Sequence, residues 1–232
     1  MKTIGFLGGM SWESTAEYYR LANELVRERL GGLHSAECII RSVDFAEVEA
    51  MQVSGDWQAA GDLLAREALA LQAAGADLIV LCTNTMHKVA DAIEQVISVP
   101  FVNIADVTAS AVLDAGLSRV GLLATAFTME QDFYRDRLAS RGVTAVVPSA
   151  ADRAIVHRII YEELVLGVLR EESRAEYRRI MAALVSDGVE GMIYGCTEIE
   201  LLVDESDTPV PVFKTTSLHV LAAVEIALKT LK

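Results

Sequence analysis

The chain is poor in basic residues for its size. It has 232 residues, with 20 Lys and Arg against 33 Asp and Glu, and a formal net charge of −13. Because a phosphate backbone is bound by clustered Lys and Arg, this deficit argues against a nucleic-acid partner. The acidic balance otherwise reports mainly on solubility, and it would make any local positive charge more informative if the ligand is an anion.

Cysteines and long apolar runs are also scarce. Three cysteines form an odd count without the spacing of a disulfide framework. No uninterrupted apolar stretch approaches the roughly 18 residues of a membrane-spanning helix, and a strand pattern in place of a signal peptide begins at Lys2. We therefore expect no membrane association, reduced thiols and a cytoplasmic location.

Common cofactor and metal motifs are missing as well. Gly8-Gly9-Met10-Ser11 lacks the Lys-Ser/Thr pair of a phosphate-binding loop and does not have the dinucleotide-binding spacing. No set of Cys and His residues has the spacing of zinc ligands, so we expect no metal site.

Short β-rich runs alternate with amphipathic helix patterns along the whole chain, which predicts βαβ units and a mainly parallel sheet. The predicted strands are 3–7, 37–43, 77–81, 101–102, 120–123, 144–147, 191–194 and 210–213. The predicted helices are 14–30, 57–74, 87–97, 107–115, 129–140, 154–169, 175–186 and 217–231. Capping boxes are predicted at Ser14, Thr128 and Ser173, and helix ends at Gly75, Gly116, Gly142 and Gly188.

One strand–Cys–helix unit occurs twice. An apolar run ends at Cys82 and a second ends at Cys196, and each follows a glycine that is expected to stop a helix. Gly5 lies 77 positions before Cys82, and Gly121 lies 75 positions before Cys196. The repeat predicts two similar α/β domains, 1–105 plus 212–232 and 106–211, with the last helix packed back on the first domain.

Both cysteines are candidate catalytic residues. Ligands of parallel sheets bind at the carboxyl ends of the strands, where Cys82 and Cys196 are expected to lie. A following helix N-terminus would lower a thiol pKa and favour the thiolate. The alternative is that each thiol is a small buried apolar residue, which is the role we expect for Cys38 inside its strand.

Polar residues near the two thiols are candidates for substrate contacts, although each also has an ordinary structural explanation. Asn84 and Thr85 could donate hydrogen bonds to a substrate carboxylate, or they could cap a helix. His87 and Glu198 are candidates for supporting one thiol each. A side-chain carboxylate could meet Arg41, whose planar fork matches it, or Lys214. The remaining candidates for substrate contacts lie after strands and comprise Met10, Ser11, Thr125, Thr128 and Thr197.

Residues 82–87 (CTNTMH) and 195–198 (GCTE), together with the opening 4–13 (IGFLGGMSWE), resemble the aspartate/glutamate racemase family over essentially the whole chain. The resemblance implies cofactor-independent racemisation in a homodimer, at a cleft between two pseudo-symmetric domains. It implies that Cys82 and Cys196 are the base and acid, with Cys196 serving the L face and Cys82 the D face. It also implies that the loops carrying Met10, Asn84–Thr85, Thr125–Thr128 and Thr197 hold the amino-acid substrate.

Two departures from the family pattern leave the substrate open. Lys214 stands where family members often have an acidic residue. Val165 stands where archaeal aspartate racemases have a lysine that binds the side-chain carboxylate. The alternatives are therefore a racemase of non-acidic amino acids, a maleate isomerase- or decarboxylase-like enzyme, and a non-catalytic ligand-binding protein. A decarboxylase needs only one thiol, so the paired cysteines count against it.

Overall fold

The computed structural model describes residues 1–229, which divide into two units. The first comprises Met1–Ile104 and the chain from His219 onward, and the second comprises Ala105–Leu218. Each contains one four-stranded parallel sheet flanked by helices, as the repeat predicts.

The sheet of the first unit has the strand order β2-β1-β3-β4. Its strands are β1 (Ile4–Gly8), β2 (Cys38–Ser42), β3 (Leu78–Leu81) and β4 (Phe101–Val102). Leu7 of β1 is in register with Arg41 of β2 and with Leu81 of β3. The carboxyl ends of these three strands therefore meet at one edge of the sheet.

The helices of the first unit cover both faces of that sheet. They are α1 (Trp12–Leu30), α2 (Phe45–Ser54), α3 (Trp57–Ala73) and α4 (Ala90–Glu94), with a 3-10 turn at Thr85–Val89 between β3 and α4. β1 and β3 are buried along their whole length, which explains their continuous apolar sequences. β2 is an edge strand that becomes more exposed toward its carboxyl end.

The second unit repeats this topology with the strand order β6-β5-β7-β8. Its strands are β5 (Arg119–Leu123), β6 (Thr144–Val146), β7 (Met192–Tyr194) and β8 (Val212–Lys214). Its helices are α5 (Ile104–Asp114), α6 (Ala126–Glu130), α7 (Asp132–Ser140), α8 (Ala150–Glu162), α9 (Glu171–Ser186) and α10 (Ile199–Leu202). Short 3-10 turns lie at Leu164–Leu166 and Glu205–Asp207. α11 (Thr215–Leu228) follows β8.

The return of the chain to the first unit occurs within α11. β8 pairs with β7, so residues 212–218 belong with the second unit and the first unit resumes at His219. The backbone N–H of Lys2 donates to the carbonyl of Ala227, which ties the end of this helix to the start of β1. The predicted final helix, 217–231, extends past the described residues.

Several helix starts differ from the prediction. α1 begins at Trp12, because Ser11 is extended and its side chain accepts from the N–H of Ser14. α6 is capped by Thr125, and not by a box that begins at Thr128. In α9, Ser173 lies inside the helix and its hydroxyl donates to Glu163 at 2.6 Å. The three predicted capping boxes are thus wrong, because other hydrogen bonds hold these hydroxyls.

The four glycines predicted to stop helices do so, but the predicted helix 154–169 ends at Glu162, α10 was missed, and α6 and α7 were predicted as one helix. The four glycines at predicted helix stops all have positive φ. The predicted helix 87–97 is a 3-10 turn followed by the short α4, and α2 was not predicted. Within residues 1–229, no helix has the length and apolarity needed to span a membrane.

Candidate active site

Cys82 lies immediately after β3, at the carboxyl edge of the first sheet. Its N–H donates to the carbonyl of Leu7 at 2.8 Å, which continues the ladder with β1 by one residue. The side chain is fully buried, and its Sγ approaches the carbonyl of Val80 at 3.7 Å. Burial raises the pKa of the Cys82 thiol well above its usual value, so the thiol is neutral in this environment.

The first turn of α1 contacts the Cys82 backbone. Ser14 donates its hydroxyl to the carbonyl of Cys82 at 3.4 Å, and Thr15 accepts from the N–H of Gly9 at 2.8 Å. A Cβ on Gly8 would lie 2.3 Å from Thr15 Oγ1, so only glycine allows this approach. Met10 belongs to the same buried apolar cluster as Met86 of the turn after Cys82, and Ser11 caps α1.

The residues after Cys82 are buried, and a histidine fixes their backbone. Asn84 and Thr85 are 6% and 7% exposed. His87 Nε2 accepts from the N–H of Ile104 at 3.1 Å, so the ring proton is on Nδ1, which donates to the carbonyl of Thr83 at 2.7 Å. His87 thus holds the backbone of the loop that follows Cys82.

His219 also supports this region but was not singled out from the sequence. Its Nε2 donates to the carbonyl of Val102 at 2.6 Å, and its Nδ1 accepts from the hydroxyl of Tyr18 at 2.9 Å. Its ring also lies 5.7 Å from that of His87. Burial lowers the pKa of His219 to about 4, so it is neutral near pH 7. In the sequence, His219 is surrounded by the apolar residues of α11, and this pattern could have indicated that it is buried.

Cys196 occupies the corresponding edge of the second sheet, two residues after β7. The N–H of Gly195 donates to the carbonyl of Leu123, which extends the pairing with β5. Cys196 is partly buried, and its thiol donates to Glu198 Oε2 at 2.8 Å. Glu198 is itself 8% exposed. The second site therefore contains a carboxylate in direct contact with its thiol.

The prediction that helix N-termini lower both thiol pKa values is wrong for this structure. Burial, followed by the nearby Glu198 carboxylate, raises the pKa of Cys196 well above its usual value. Backbone hydrogen bonds from Glu198 and Ile199 act in the expected direction but are outweighed. The elements after the thiols are only a 3-10 turn and the four-residue α10, too short to have a large dipole.

Threonines frame the second site. Thr197 and Thr216 share a hydrogen bond of 2.9 Å between their hydroxyls, and Thr215 donates to the carbonyl of Tyr194 at 2.9 Å. The predicted Thr125 and Thr128 are buried at the end of β5, with their hydroxyls 3.3 Å apart. Thr215 and Thr216 were not predicted, because they follow β8, whose carboxyl end carries no distinctive motif.

The cationic candidates for a side-chain carboxylate already have acidic neighbours. Arg41 Nε lies 2.5 Å from Glu67 Oε2, and Lys214 Nζ lies 3.8 Å from Glu205 Oε1. The side chain of Arg41 is 51% exposed, and that of Glu67 is 9% exposed. Arg41 is on the same face of the sheet as Leu7 and Leu81 by register, the face that α3 covers. A role in substrate binding for either cation stays a prediction.

Cys38 is less buried than expected. It begins the edge strand β2 and is partly exposed, because no strand covers its outer side. Cys38 lies at the amino end of its strand, and Cys82 and Cys196 lie beyond the carboxyl ends of theirs. Cys38 therefore belongs to neither thiol site.

The chain is similar to known proteins of one family over nearly its whole length. The model of a family described as Asp/Glu/hydantoin racemase matches residues 7–223. The structure of a candidate Asp/Glu racemase from Yersinia pestis is 53% identical, with a TM-score of 0.94 over 99% of this chain and 100% of the other. An aspartate racemase homologue from Pyrococcus horikoshii OT3 is 37% identical, with a TM-score of 0.87 over 99% and 100% of the two chains.

More distant structures share the fold alone. The aspartate racemase of Picrophilus torridus is 20% identical, with a TM-score of 0.80 over 98% of this chain and 94% of the other. These matches extend over both units, so the two-domain architecture is common to the whole group.

Proposed function

Since the chain belongs to the Asp/Glu/hydantoin racemase family, we propose that it racemises an acidic amino acid, aspartate or glutamate, without an organic cofactor or a metal. The observation that carries the proposal is the occurrence of one thiol at the same topological position in each unit, Cys82 after β3 and Cys196 after β7. Racemisation needs one proton carrier on each face of Cα, and two thiols supply them.

The chemistry requires a weakly acidic proton to be removed. The α-proton of an amino acid becomes accessible only when a base is held against Cα and donors stabilise the substrate carboxylate as it gains enolate character. The loops carrying Asn84, Thr85, Thr125, Thr128 and Thr197 are rich in such donors, and we assign them to the substrate carboxylate and ammonium, together with the loop at Met10 and Ser11.

Each turnover balances by exchanging one proton at each face. Cys196 transfers its proton to Glu198 within their existing hydrogen bond, and the resulting thiolate removes the α-proton of the L enantiomer. Cys82 delivers its thiol proton to the opposite face. Cys82 is then a thiolate, Cys196 a thiol and Glu198 a protonated carboxyl group, which is the arrangement from which the D enantiomer reacts in the reverse direction. Before another L molecule reacts, Glu198 releases its proton to solvent and Cys82 takes one up.

The different surroundings of the thiols support this assignment of roles. Cys196 has a carboxylate at 2.8 Å that can accept its proton, whereas Cys82 is fully buried and directed at a carbonyl. A neutral buried thiol is suited to donating a proton, and a thiol beside a carboxylate is suited to losing one. The assignment of Cys196 to the L face comes from the family resemblance and is part of the proposal.

A chiral assay over a panel of amino acids, with no added cofactor, tests the proposal. We expect aspartate or glutamate to equilibrate between its enantiomers, and pyridoxal-directed reagents such as hydroxylamine to have no effect. Failure to racemise any amino acid of the panel would contradict the proposed function.

One observation favours a second candidate within the same reaction class. Val165, partly buried in the 3-10 turn Leu164–Leu166, supplies no charge, and both Arg41 and Lys214 have acidic neighbours. Racemisation of an amino acid with an uncharged side chain fits these facts. Preferred turnover of neutral amino acids in the same panel would select this candidate. A homodimer and a cytoplasmic location stay predictions, and sedimentation analysis would determine the first.

A further inference from the structure

α2 has a glutamine where an apolar residue would be expected. Only Val48 and Gln52 are buried on this helix, and their i, i+4 spacing places both on its inward face. Gln52 is 4% exposed. Val48 belongs to the apolar cluster that also contains Met10 and Met86, so Gln52 lies on the helix face that covers this cluster.

The amide of Gln52 is only half satisfied. Its Nε2 donates to the Sδ of Met86 at 3.0 Å, and its Oε1 is buried without a hydrogen-bond partner among the described residues. A thioether sulfur can accept but cannot donate, so the amide nitrogen must face Met86 and the oxygen must face away from it. A buried acceptor without a partner is costly, and its retention calls for an explanation.

The position of Gln52 relates it to the first thiol. Met86 lies in the turn that follows Cys82 and belongs to the same cluster as Leu81, the residue before Cys82. Met10, in the loop after β1, is also a member of this cluster. Through its amide nitrogen, Gln52 therefore contacts the turn that follows Cys82, and its unsatisfied oxygen belongs to the same side chain.

We propose that Gln52 Oε1 accepts a hydrogen bond from the α-ammonium group of the substrate, which makes Gln52 a determinant of specificity for amino acids over the corresponding acids without nitrogen. The inference rests on the proposed function. Its chemical basis is that an unpaired acceptor needs a donor. The α-ammonium is the one donor group of aspartate and glutamate, because their ionised carboxylates accept hydrogen bonds and cannot donate them.

The test compares ligands that differ only in the ammonium group. Wild type and Gln52→Met are assayed for racemisation of aspartate and glutamate, and for inhibition by succinate and glutarate, the matching dicarboxylates without nitrogen. Methionine keeps the length of the side chain and removes the unsatisfied oxygen, so the variant should fold with an unchanged or higher melting temperature. Gln95→Met, at an exposed glutamine, is the matched control.

We expect KM for the amino acid to rise about 10- to 100-fold in Gln52→Met, the usual cost of losing a hydrogen bond to a charged group, while the inhibition constants of succinate and glutarate stay within twofold. Gln95→Met should match wild type in every measurement. If Gln52→Met does not fold, Gln52→Leu serves for the same comparison.

Equal weakening of the amino acid and its analogue without nitrogen would overturn the inference, as would an unchanged KM in a variant that remains folded. In both cases wild-type racemisation leaves the proposed function intact. A wild-type protein that racemises no amino acid would contradict the proposed function and the inference with it.

Discussion

The two units place their thiols at equivalent ends of equivalent strands but surround them differently. Cys82 is fully buried beside the carbonyl of Val80, and its loop is held by a neutral histidine, His87. Cys196 is partly exposed, and its thiol donates directly to the Glu198 carboxylate. The two units thus share the position of the thiol and differ in its electrostatic surroundings.

This difference indicates that the two thiols are not interchangeable. Burial raises both pKa values, and at Cys196 the carboxylate raises the pKa further while offering a place for the proton. Under the proposed mechanism, Cys196 loses its proton to Glu198 and Cys82 donates its own. The predictions below test this asymmetry.

Removal of either thiol should have the largest effect. Cys82→Ser and Cys196→Ser should each lower racemisation by about a thousandfold or more, because a serine hydroxyl is far too weak an acid to form the required anion. Chiral chromatography of the reaction measures the loss. Cys38→Ser is the matched control and should retain wild-type activity, because Cys38 belongs to neither site.

The single variants also test the assignment of faces. Each surviving thiol should still exchange the α-proton of one enantiomer with solvent. Exchange of the L enantiomer that persists in Cys196→Ser and is lost in Cys82→Ser would reverse the assignment. Full racemisation by either variant would exclude the two-thiol mechanism.

Removal of the carboxylate at the second site should have the next largest effect. Glu198→Gln should lower kcat about 100-fold, because the thiol loses its proton acceptor. The same change removes a negative charge that raises the pKa of Cys196, so alkylation of this thiol should begin at a lower pH than in wild type. Mass spectrometry of alkylated peptides over a pH series measures both cysteines at once.

In Glu198→Gln, kcat should fall while the reactivity of the Cys196 thiol toward alkylation should rise. The two measurements therefore separate the catalytic role of the carboxylate from its effect on thiol reactivity. The alkylation profile of Cys82 should not move, and Glu190→Gln, at an exposed glutamate, should behave as wild type. A Glu198→Gln variant with normal kcat would contradict the role of the carboxylate, and unchanged alkylation at Cys196 would contradict its electrostatic effect on the thiol.

The remaining expected effect is on the stability of the first unit and not on catalysis. His219 has a pKa of about 4 when folded and about 6.5 when unfolded, so the unfolded state binds more protons between these values. Stability from this residue is complete above about pH 6.5 and falls as the pH drops toward 4, by roughly 3 kcal/mol in total.

Urea unfolding at pH 7 and pH 5 measures this dependence. His219→Gln should be less stable than wild type at pH 7 but should lose less stability on acidification. His34→Gln, at an exposed histidine, should keep the wild-type dependence. A pH dependence that is identical in wild type and His219→Gln would show that burial of this ring is not linked to folding.

The sequence was sufficient to predict the sheets and the thiols because both leave local signals. The eight strands within residues 1–229 all lie in apolar β-rich runs, and the repeat identified Cys82 and Cys196 as equivalent positions. α2 escaped prediction because only Val48 and Gln52 of its residues are buried, which gives a weak periodic pattern. Its N-cap, Asp44, was the signal that could have identified it.

The remaining parts of the site depend on contacts between distant residues. His219 forms hydrogen bonds with Tyr18 and Val102, which lie 201 and 117 positions away in the sequence. No local sequence pattern encodes such distant partners. The bond between Cys196 and Glu198 spans two residues, yet their spacing did not reveal whether the carboxylate would contact the thiol or only begin a helix. Side-chain conformation decided that question.

Deuterium incorporation during a single conversion tests the two-thiol account most directly. Wild-type protein is incubated with L-aspartate or L-glutamate in D₂O, and both enantiomers are analysed by mass spectrometry at early times. The account predicts deuterium at Cα of essentially every D product molecule and little in the remaining L substrate, because one thiol removes the proton and the other delivers a deuteron. A D product that retains the original proton would show that a single base serves both faces and would contradict the account.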